Sequence, residues 1–479
     1  MSTCVGRPPR ESGSRPGMLV ALVLAVLGYQ LNATMLSPAL PDVVRRLDTT
    51  SGLVGLSQTL FFLFAAIGQV TLARLSDFRG RKPVMLLCSA LVIVGDLACA
   101  CAPDIGFFIA GRILQGAGAA MFTLSFLALD DVLTPARFGR AAGIITAVNG
   151  GFAGVDTVLG GQLADTVGFR GIFVASLLVA AGGTLAIVRY VPSVPPSAGG
   201  SMDWRGAALL GLGLTGLMIC LAQGQSWGWT SLPTLGCALA GLAALAVFGA
   251  AARRTRDPLV DTTLLASRRA WPLLLTTTLT LGGAFGAIML TVPLLTQDPD
   301  TGYGLSATHS ALMYSMPAQA LGVIGAPLAG HLGPRLGWRR SVVLGSVGSL
   351  LAIAVAVPFM TSPWVLCAAL SVLGVTYNGL SITALNGLAV VSAPQDQKGA
   401  LPGLNGACFG IGASLGSALP SALITAAGDG GASGTGVYAG AMWASFGLLA
   451  AALVTTLAIQ AVPRATGSGD RPAPVATHL

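Results

Sequence analysis

The chain has 479 residues, of which 53% are hydrophobic and only 9% charged, with a formal net charge of +8. Soluble globular proteins carry about 25% charged residues, so this chain lacks the charge to solvate a water-exposed body of its size. A soluble enzyme of ordinary type, a coiled coil and a disordered chain are excluded, and lipid is the solvent that remains.

A helix crosses a bilayer with about 20 mostly apolar residues. Taken in chain order, the uncharged runs 16–41 and 49–73 each hold one span. Three further runs are each interrupted by one charge, at Asp96, Arg112 and Asp156. The run 171–188 holds one more span, and 206–252 breaks at Gln225–Thr230 into two. The runs 271–297 and 301–334 hold one each, and 341–395 breaks at Thr361-Ser-Pro363 into two. The runs 399–428 and 430–463 complete an expected total of fourteen. Arg7, Arg10 and Arg15 precede the first run as in a signal peptide, but the run is too long for one and thirteen similar runs follow.

Loop charge tests the count. With the N-terminus inside, 22 of the 26 basic residues fall in cytoplasmic segments, and three (Arg45, Arg46, Arg170) fall outside. This is the positive-inside bias, and omitting one span would destroy it. The basic balance therefore reflects topology, and no nucleic-acid partner is implied. The seven tryptophans fall at or near expected span ends, where an amphipathic ring suits the headgroups. The eight cysteines contain no C-x-x-C, and most sit in apolar runs as small hydrophobes.

An internal repeat divides the chain. Ala73-Arg-Leu-Ser-Asp77-Phe-Arg-Gly80-Arg81-Lys82 matches Gly330-His-Leu-Gly-Pro-Arg335-Leu-Gly337-Trp-Arg339-Arg340 at an offset of 257 residues. That offset accommodates eight spans, and repeated halves with a site at their interface are a common transporter plan. The first of these loops resembles the G-x-L-x-D-R-x-G-R-K motif of the major facilitator superfamily. Arg112-Ile-Leu-Gln115-Gly116-Ala-Gly118 resembles its span-4 R-x-x-Q-G-x-G motif. Met202-Asp-Trp-Arg-Gly206, Trp227-Gly-Trp229, Asp257-Pro-Leu259 and Gly403-Leu-Asn405 through Gly416 are similar to the fourteen-span drug:proton antiporter branch.

The resemblance implies an all-α polytopic membrane protein of the major-facilitator fold: two six-helix bundles plus two extra central helices. The expected boundaries are a cytoplasmic tail at 1–17, a bundle at 18–190 and a linker at 191–205. Two additional helices at 206–252, a linker at 253–270, a second bundle at 271–463 and a tail at 464–479 follow. It implies a monomer in the bacterial inner membrane with both termini cytoplasmic, exporting drugs or a natural product by proton antiport and conferring resistance. A solute importer or lipid flippase of the same fold is the alternative, since fold does not fix function.

Two positions depart from the branch. Its span-1 acid is here Asn32, in Leu31-Asn32-Ala33-Thr34, and its span-5 glycine is here Asp156. A charge inside the bilayer is costly and faces the bundle interior by default. Asp156 is accordingly expected to replace the span-1 acid as proton carrier, with Arg112 tuning it. Asp96 is expected at the outer interface, and Asp130 and Asp131 in water.

The substrate cavity is expected to be apolar with polar points at Asn32, Thr34, Gln115, Tyr377 and Asn378. The scarcity of acids, with Arg112 nearby, suits neutral or anionic compounds. By resemblance Asp77, Gly80, Arg81 and Lys82 form a gating loop, and Arg137 and Arg140 are candidate partners for Asp77. No Gly-Lys-Ser/Thr phosphate loop, metal-ligand spacing or catalytic framework is present. An enzyme, a cofactor and a metal are not expected.

Overall fold

The computed structural model describes residues 16–36, 39–151, 153–255, 257–300, 302–305, 307–394, 397–429 and 434–460. Apart from residues 16 and 17, the two expected tails lie outside these, with Arg7, Arg10, Arg15, Arg464 and Arg471; Arg256 lies outside as well.

Every described segment of regular structure is helical. Helix α1 (Pro16–Thr34) is followed by a short α2 (Leu40–Arg46), then α3 (Ser51–Arg79), α4 (Arg81–Ala100), α5 (Ile105–Ala117) and α6 (Ala120–Val132). Helices α7 (Pro135–Gly151), α8 (Ala153–Thr166) and α9 (Phe169–Tyr190) complete the first half. The pair α10 (Trp204–Trp227) and α11 (Leu232–Ala252) comes next, then a short α12 (Thr262–Ala266). The second half comprises α13 (Trp271–Gly286), α14 (Val292–Gln297), α15 (Ala307–Ser310), α16 (Met316–Leu336), α17 (Trp338–Ala356), α18 (Pro363–Leu373), α19 (Thr383–Ser392), α20 (Ala400–Asp429) and α21 (Gly436–Ala458). Wider π turns at Ala287–Thr291, Ala311–Ser315 and Gly374–Ile382 join α13 to α14, α15 to α16 and α18 to α19.

Twelve helices among the described residues are long and apolar enough to cross a membrane. Two of the expected fourteen are not among them. One is the α7–α8 stretch, which carries Arg137, Arg140 and Asp156 and includes residue 152, outside the described residues. The other runs through α15 and α16, where His331, Arg335 and prolines 327 and 334 dilute the apolar sequence.

The repeat is visible in the backbone. Gly80 (φ +87°) ends α3 and starts α4, and Gly337 (φ +93°) does the same between α16 and α17. Both sit where a side chain is strongly disfavoured, so glycine at this turn lets two long helices follow without a loop. The first helix of each half also packs on the last, α1 on α9 and α13 on α21.

The halves meet through α7 against α16 and α3 against α20, with α10 wedged on both α3 and α20. These contacts are backbone-close. A Cβ on Gly139 would strike the Gly330 carbonyl, and one on Gly143 would strike Ala326 and Pro327. Gly399 and Gly403 lie in the same way against Ala73 and Gln69.

Burial is asymmetric along the helices. At the end bearing Arg81, Arg137 and Arg339, called here the basic end, one apolar core runs through both halves and joins Leu124, Phe138, Trp338, Leu388 and Leu401. At the opposite end there are two cores. One belongs to the first half (Leu36, Val43, Phe108, Phe173), the other to the second (Ile288, Leu295, Leu366, Met442). The apolar core is shared by the halves at the basic end and separate in each half at the other.

The opposite end is pinned within the first half by Asp42 on α2. Its Oδ2 accepts the Phe169 N–H at 2.9 Å, capping the start of α9, and it pairs with Arg46 (3.0 Å) and Arg45 (3.3 Å). Burial pulls this carboxyl upward, but the Phe169 N–H and the two guanidiniums outweigh it and hold it below the usual carboxylate range. Its stabilisation is therefore complete above the ordinary aspartate range and is lost as pH falls through the lowered folded value. Asp42→Asn is expected to remove about 1.5–3 kcal/mol, the worth of hydrogen bonds to a charged group. In thermal melts the difference between variant and wild type is expected at neutral pH and to vanish in acid; a difference independent of pH would contradict the assignment.

Candidate functional site

Two clusters of buried charge stand out, one at the basic end and one deep in the first half. The basic-end cluster centres on Asp77, which is fully buried. Its carboxylate pairs with Arg81 at 2.7 Å and Arg74 at 2.9 Å. Across the interface, the Gly399 N–H at the start of α20 reaches both carboxylate oxygens at 3.0 Å, where a helix N-terminus favours an anion. Ser197 Oγ donates to it at 3.1 Å, and the Asp77 carbonyl accepts the N–H groups of Ser197 and Ala198, so the linker after α9 is tied to the same point.

Arg81 continues the chain of charge to Asp131 at 3.2 Å. Lys398 crosses from the second half to contact Asp131 closely and lies 3.8 Å from Asp130. Asp131 was expected in water; instead it joins the halves, with its side chain 8% exposed. Arg137 and Arg140, the candidate partners of Asp77, are not among its partners, because Arg81 one turn away on α4 takes that place. Lys82 donates to the Val188 carbonyl at 2.8 Å, anchoring α4 to α9.

The second cluster is built by glycine. Gly95 on α4 and Gly111 on α5 approach so closely that a Cβ on either meets the other's carbonyl. Gly116 likewise admits the Phe61 backbone of α3. These contacts bring α3, α4 and α5 around Arg112, which is 0% exposed.

Arg112 Nη1 donates to the Asn32 carbonyl of α1 (2.9 Å) and to Gln115 Oε1 (2.7 Å), and Nη2 donates to Gln58 Oε1 of α3. Its guanidinium carbon lies 4.0 Å from the Phe61 ring centre, and Tyr29 stacks on that ring. The cation is thus spread over neutral acceptors and a π face.

Gln115 Nε2 passes on to Asp96 Oδ1 at 2.8 Å. Asp96, expected at the interface, is 0% exposed, because the Gly95–Gly111 approach places it beneath α5. Asn32 glues helices: its Nδ2 donates to Ser176 Oγ of α9 (2.7 Å) and to the Gly28 carbonyl (3.0 Å). Thr34 Oγ1 donates to Asp156 Oδ2 at 2.5 Å, joining α1 to α8. Asp156 also walls a groove of about 660 Å³ between α1, α8 and α9, lined mostly by Leu31, Met35, Leu159 and Val179.

Tyr377 and Asn378 belong to the second half, on the π segment between α18 and α19. The Asn378 amide lies at the interface between halves, against Gly150 of α7 and Gly322 of α16. Sequence reasoning met Asn405 only as part of a motif and did not join it into the neutral network of that half. There Thr277 Oγ1 donates to Asn405 Oδ1 (2.7 Å), and Asn405 Nδ2 to Asn386 Oδ1 (3.0 Å), all buried. It also passed over Gln58 and counted Lys398 only among the cytoplasmic bases, though both reach residues distant in sequence.

Two halves joined by ion pairs at one end and holding separate cores at the other can alternate around a site between them. Comparison with known families agrees: the Major Facilitator Superfamily model matches residues 22–417 and, in a second match, 274–477. The chain belongs to the major facilitator superfamily. As a facilitator it is a multi-pass membrane transporter that binds a small-molecule substrate. It is 35% identical over 428 residues to a uridine/deoxyuridine transporter of Lactococcus lactis, covering 87% of this chain and 89% of that one. It is 28% identical over 415 residues to the multidrug resistance protein Stp of Mycobacterium tuberculosis, covering 85% and 75%. The human organic anion transporter MFSD10 (TETRAN) shares its fold, with a TM-score of 0.65 over 94% of this chain and all of that one at 18% identity.

Proposed function

We propose that this facilitator is a proton-driven exporter of neutral or anionic drug-like compounds, built from fourteen spans in the bacterial cytoplasmic membrane. The basic end and both termini face the cytoplasm in this reading, as the loop charges require. The helical stretches 135–166 and 307–336, which pair with each other across the interface, supply the two spans beyond the twelve. The conformation described is then outward-facing, able to release substrate to the outside.

The observation that carries this reading is the distribution of buried charge. Arg112, Asp96 and Asp156 lie in the first half, whereas the second half offers the neutral Thr277–Asn405–Asn386 network and Asn378. A second-half wall that is neutral and offers amides, with Arg112 behind the first-half wall, suits uncharged or anionic substrates better than cations. Thr34, Tyr377 and Asn378 are the proposed substrate contacts, with Asn32 and Gln115 behind them acting through Arg112. Asp156 and Arg112 are the proposed proton-coupling pair. Asp77, Gly80, Arg81 and Lys82 are the proposed gate, with Arg137 on its rim.

A second reading, nucleoside transport, is favoured by the 35% identity to the uridine/deoxyuridine transporter, since a uracil ring presents the donors and acceptors that amides match. Proteoliposomes with an imposed pH gradient separate the two. Chloramphenicol is expected to move with the gradient and ethidium not to. Movement of uridine alone would select the second reading, and preference for ethidium would contradict both.

A further inference from the structure

Asp96 is fully buried in α4 and takes no part in the Thr34–Asp156 contact. Among the described residues its carboxyl meets neutral groups alone, and the Gln115 amide donates to Oδ1 at 2.8 Å. The nearest guanidinium, Arg112, is one amide further away and is engaged by the Asn32 carbonyl, Gln115 and Gln58. A buried carboxylate is ordinarily met by a cation or by several donors. Asp96 abuts the Asn32 amide and the Ser176 hydroxyl. Even so, among the described residues no donor lies in hydrogen-bonding geometry on its Oδ2 or on Asn32 Oδ1. The orientation of the Asn32 amide is fixed, because only its NH₂ can face the Gly28 carbonyl. Two acceptor oxygens in one buried polar pocket, both without donors, describe a carboxylic acid that bears a proton.

We infer that Asp96 is a proton-carrying carboxyl of this transporter, linked to Arg112 through the Gln115 amide. The inference deepens the proton-coupled reading and depends on it only for the transport step.

The step balances with water alone. An O–H bond forms on Asp96 with a proton from external hydronium while the far end is parted. It breaks to cytoplasmic water when the basic end opens. Loss of the proton leaves an anion two hydrogen bonds from Arg112, which draws the guanidinium toward α4. The cost falls on the Asn32 carbonyl of α1 and Gln58 of α3, so the proton is coupled to the packing of three helices. The ionisable groups around Asp96 are Arg112 on α5 and Cys99 on its own helix, and Tyr29 on α1 faces Arg112. The nearby contributions from α3 and α9 are the neutral Gln58 and Ser176, and the acids of α6, Asp130 and Asp131, lie at the basic end.

Infrared difference spectroscopy on the purified protein in lipid, titrated with pH, reads this without any substrate. A carbonyl stretch of a protonated carboxylic acid is expected near neutral pH in the wild type. It is expected to be absent from Asp96→Asn, shifted in frequency in Asp96→Glu and retained in Asp156→Asn. No such band in the wild type, or a band lost only in Asp156→Asn, would overturn the inference. If Asp96→Asn fails to fold, Asp96→Glu decides: a moved band supports Asp96 and an unmoved one excludes it. An Asp96 band together with transport indifferent to proton gradients would sink the antiport reading. Proton-coupled transport without an Asp96 band would sink this inference alone.

Discussion

Asp77→Asn is expected to open the basic end. Asparagine has almost the same shape and can still accept the Gly399 N–H, so the change removes charge and little else. It leaves Arg74 and Arg81, each with a side chain only 4% exposed, facing a neutral group. Breaking a buried pair by neutralising one partner costs about 3–5 kcal/mol. Part of that cost falls on the Asp77–Gly399 contact, which exists only while the halves are closed. Even one-third of it shifts the closed-to-open ratio by about tenfold. Lys398→Ala is expected to act in the same direction but less, because Asp131 keeps Arg81. The readout is maleimide labelling of Ala407→Cys in a cysteine-free background, a position 3% exposed beneath the latch. Labelling in Asp77→Asn is expected to rise at least severalfold. An unchanged rate would show that the charges at this end do not hold the halves together.

Arg112 is expected to give the largest loss of transport. Alanine there strips the Asn32 carbonyl, Gln115 and Gln58 of their shared donor and leaves a void against Phe61. Each buried acceptor left unpaired costs about 1–3 kcal/mol. The expected result is a fall in transport of at least about a hundredfold, from an interaction loss near 3 kcal/mol, together with a lower melting temperature. Arg112→Lys separates charge from geometry. An ammonium retains the charge but cannot present the planar fork that spans α1, α3 and α5 at once. It is expected to preserve the fold and still lose most transport. Wild-type transport in Arg112→Lys would reduce Arg112 to a point charge and contradict the account of its role.

Much of the architecture is legible in the sequence because lipid imposes a simple rule. Apolar runs of about 20 residues and basic loops on one side are what a helical membrane chain must show. The repeat was readable for a related reason: Gly80 and Gly337 occupy a turn that other residues strongly disfavour. The α7–α8 and α15–α16 stretches, read as spans in the sequence, are not among the twelve because glycine and proline at their contact, with nearby charge, lower their apolar content. Asp96 was misplaced because its burial comes from the Gly95–Gly111 approach, not from its distance to the helix end. Lys398 was read as a topology marker alone, since its partner Asp131 is 267 residues away. The pairing of Asp77 with Arg81 did have a local signal, four residues apart across the Gly80 turn, whereas Arg137 was proposed on loop proximity.

The central claim is that the two halves part and close at the basic end during each cycle. Phe122→Cys with Phe409→Cys, in a cysteine-free background and bridged by a short bis-methanethiosulfonate, tests it most directly, because these rings pack on each other across the interface. Cross-linking is expected to abolish transport in proteoliposomes, and reduction to restore it. Full transport with the cross-link intact would contradict the claim.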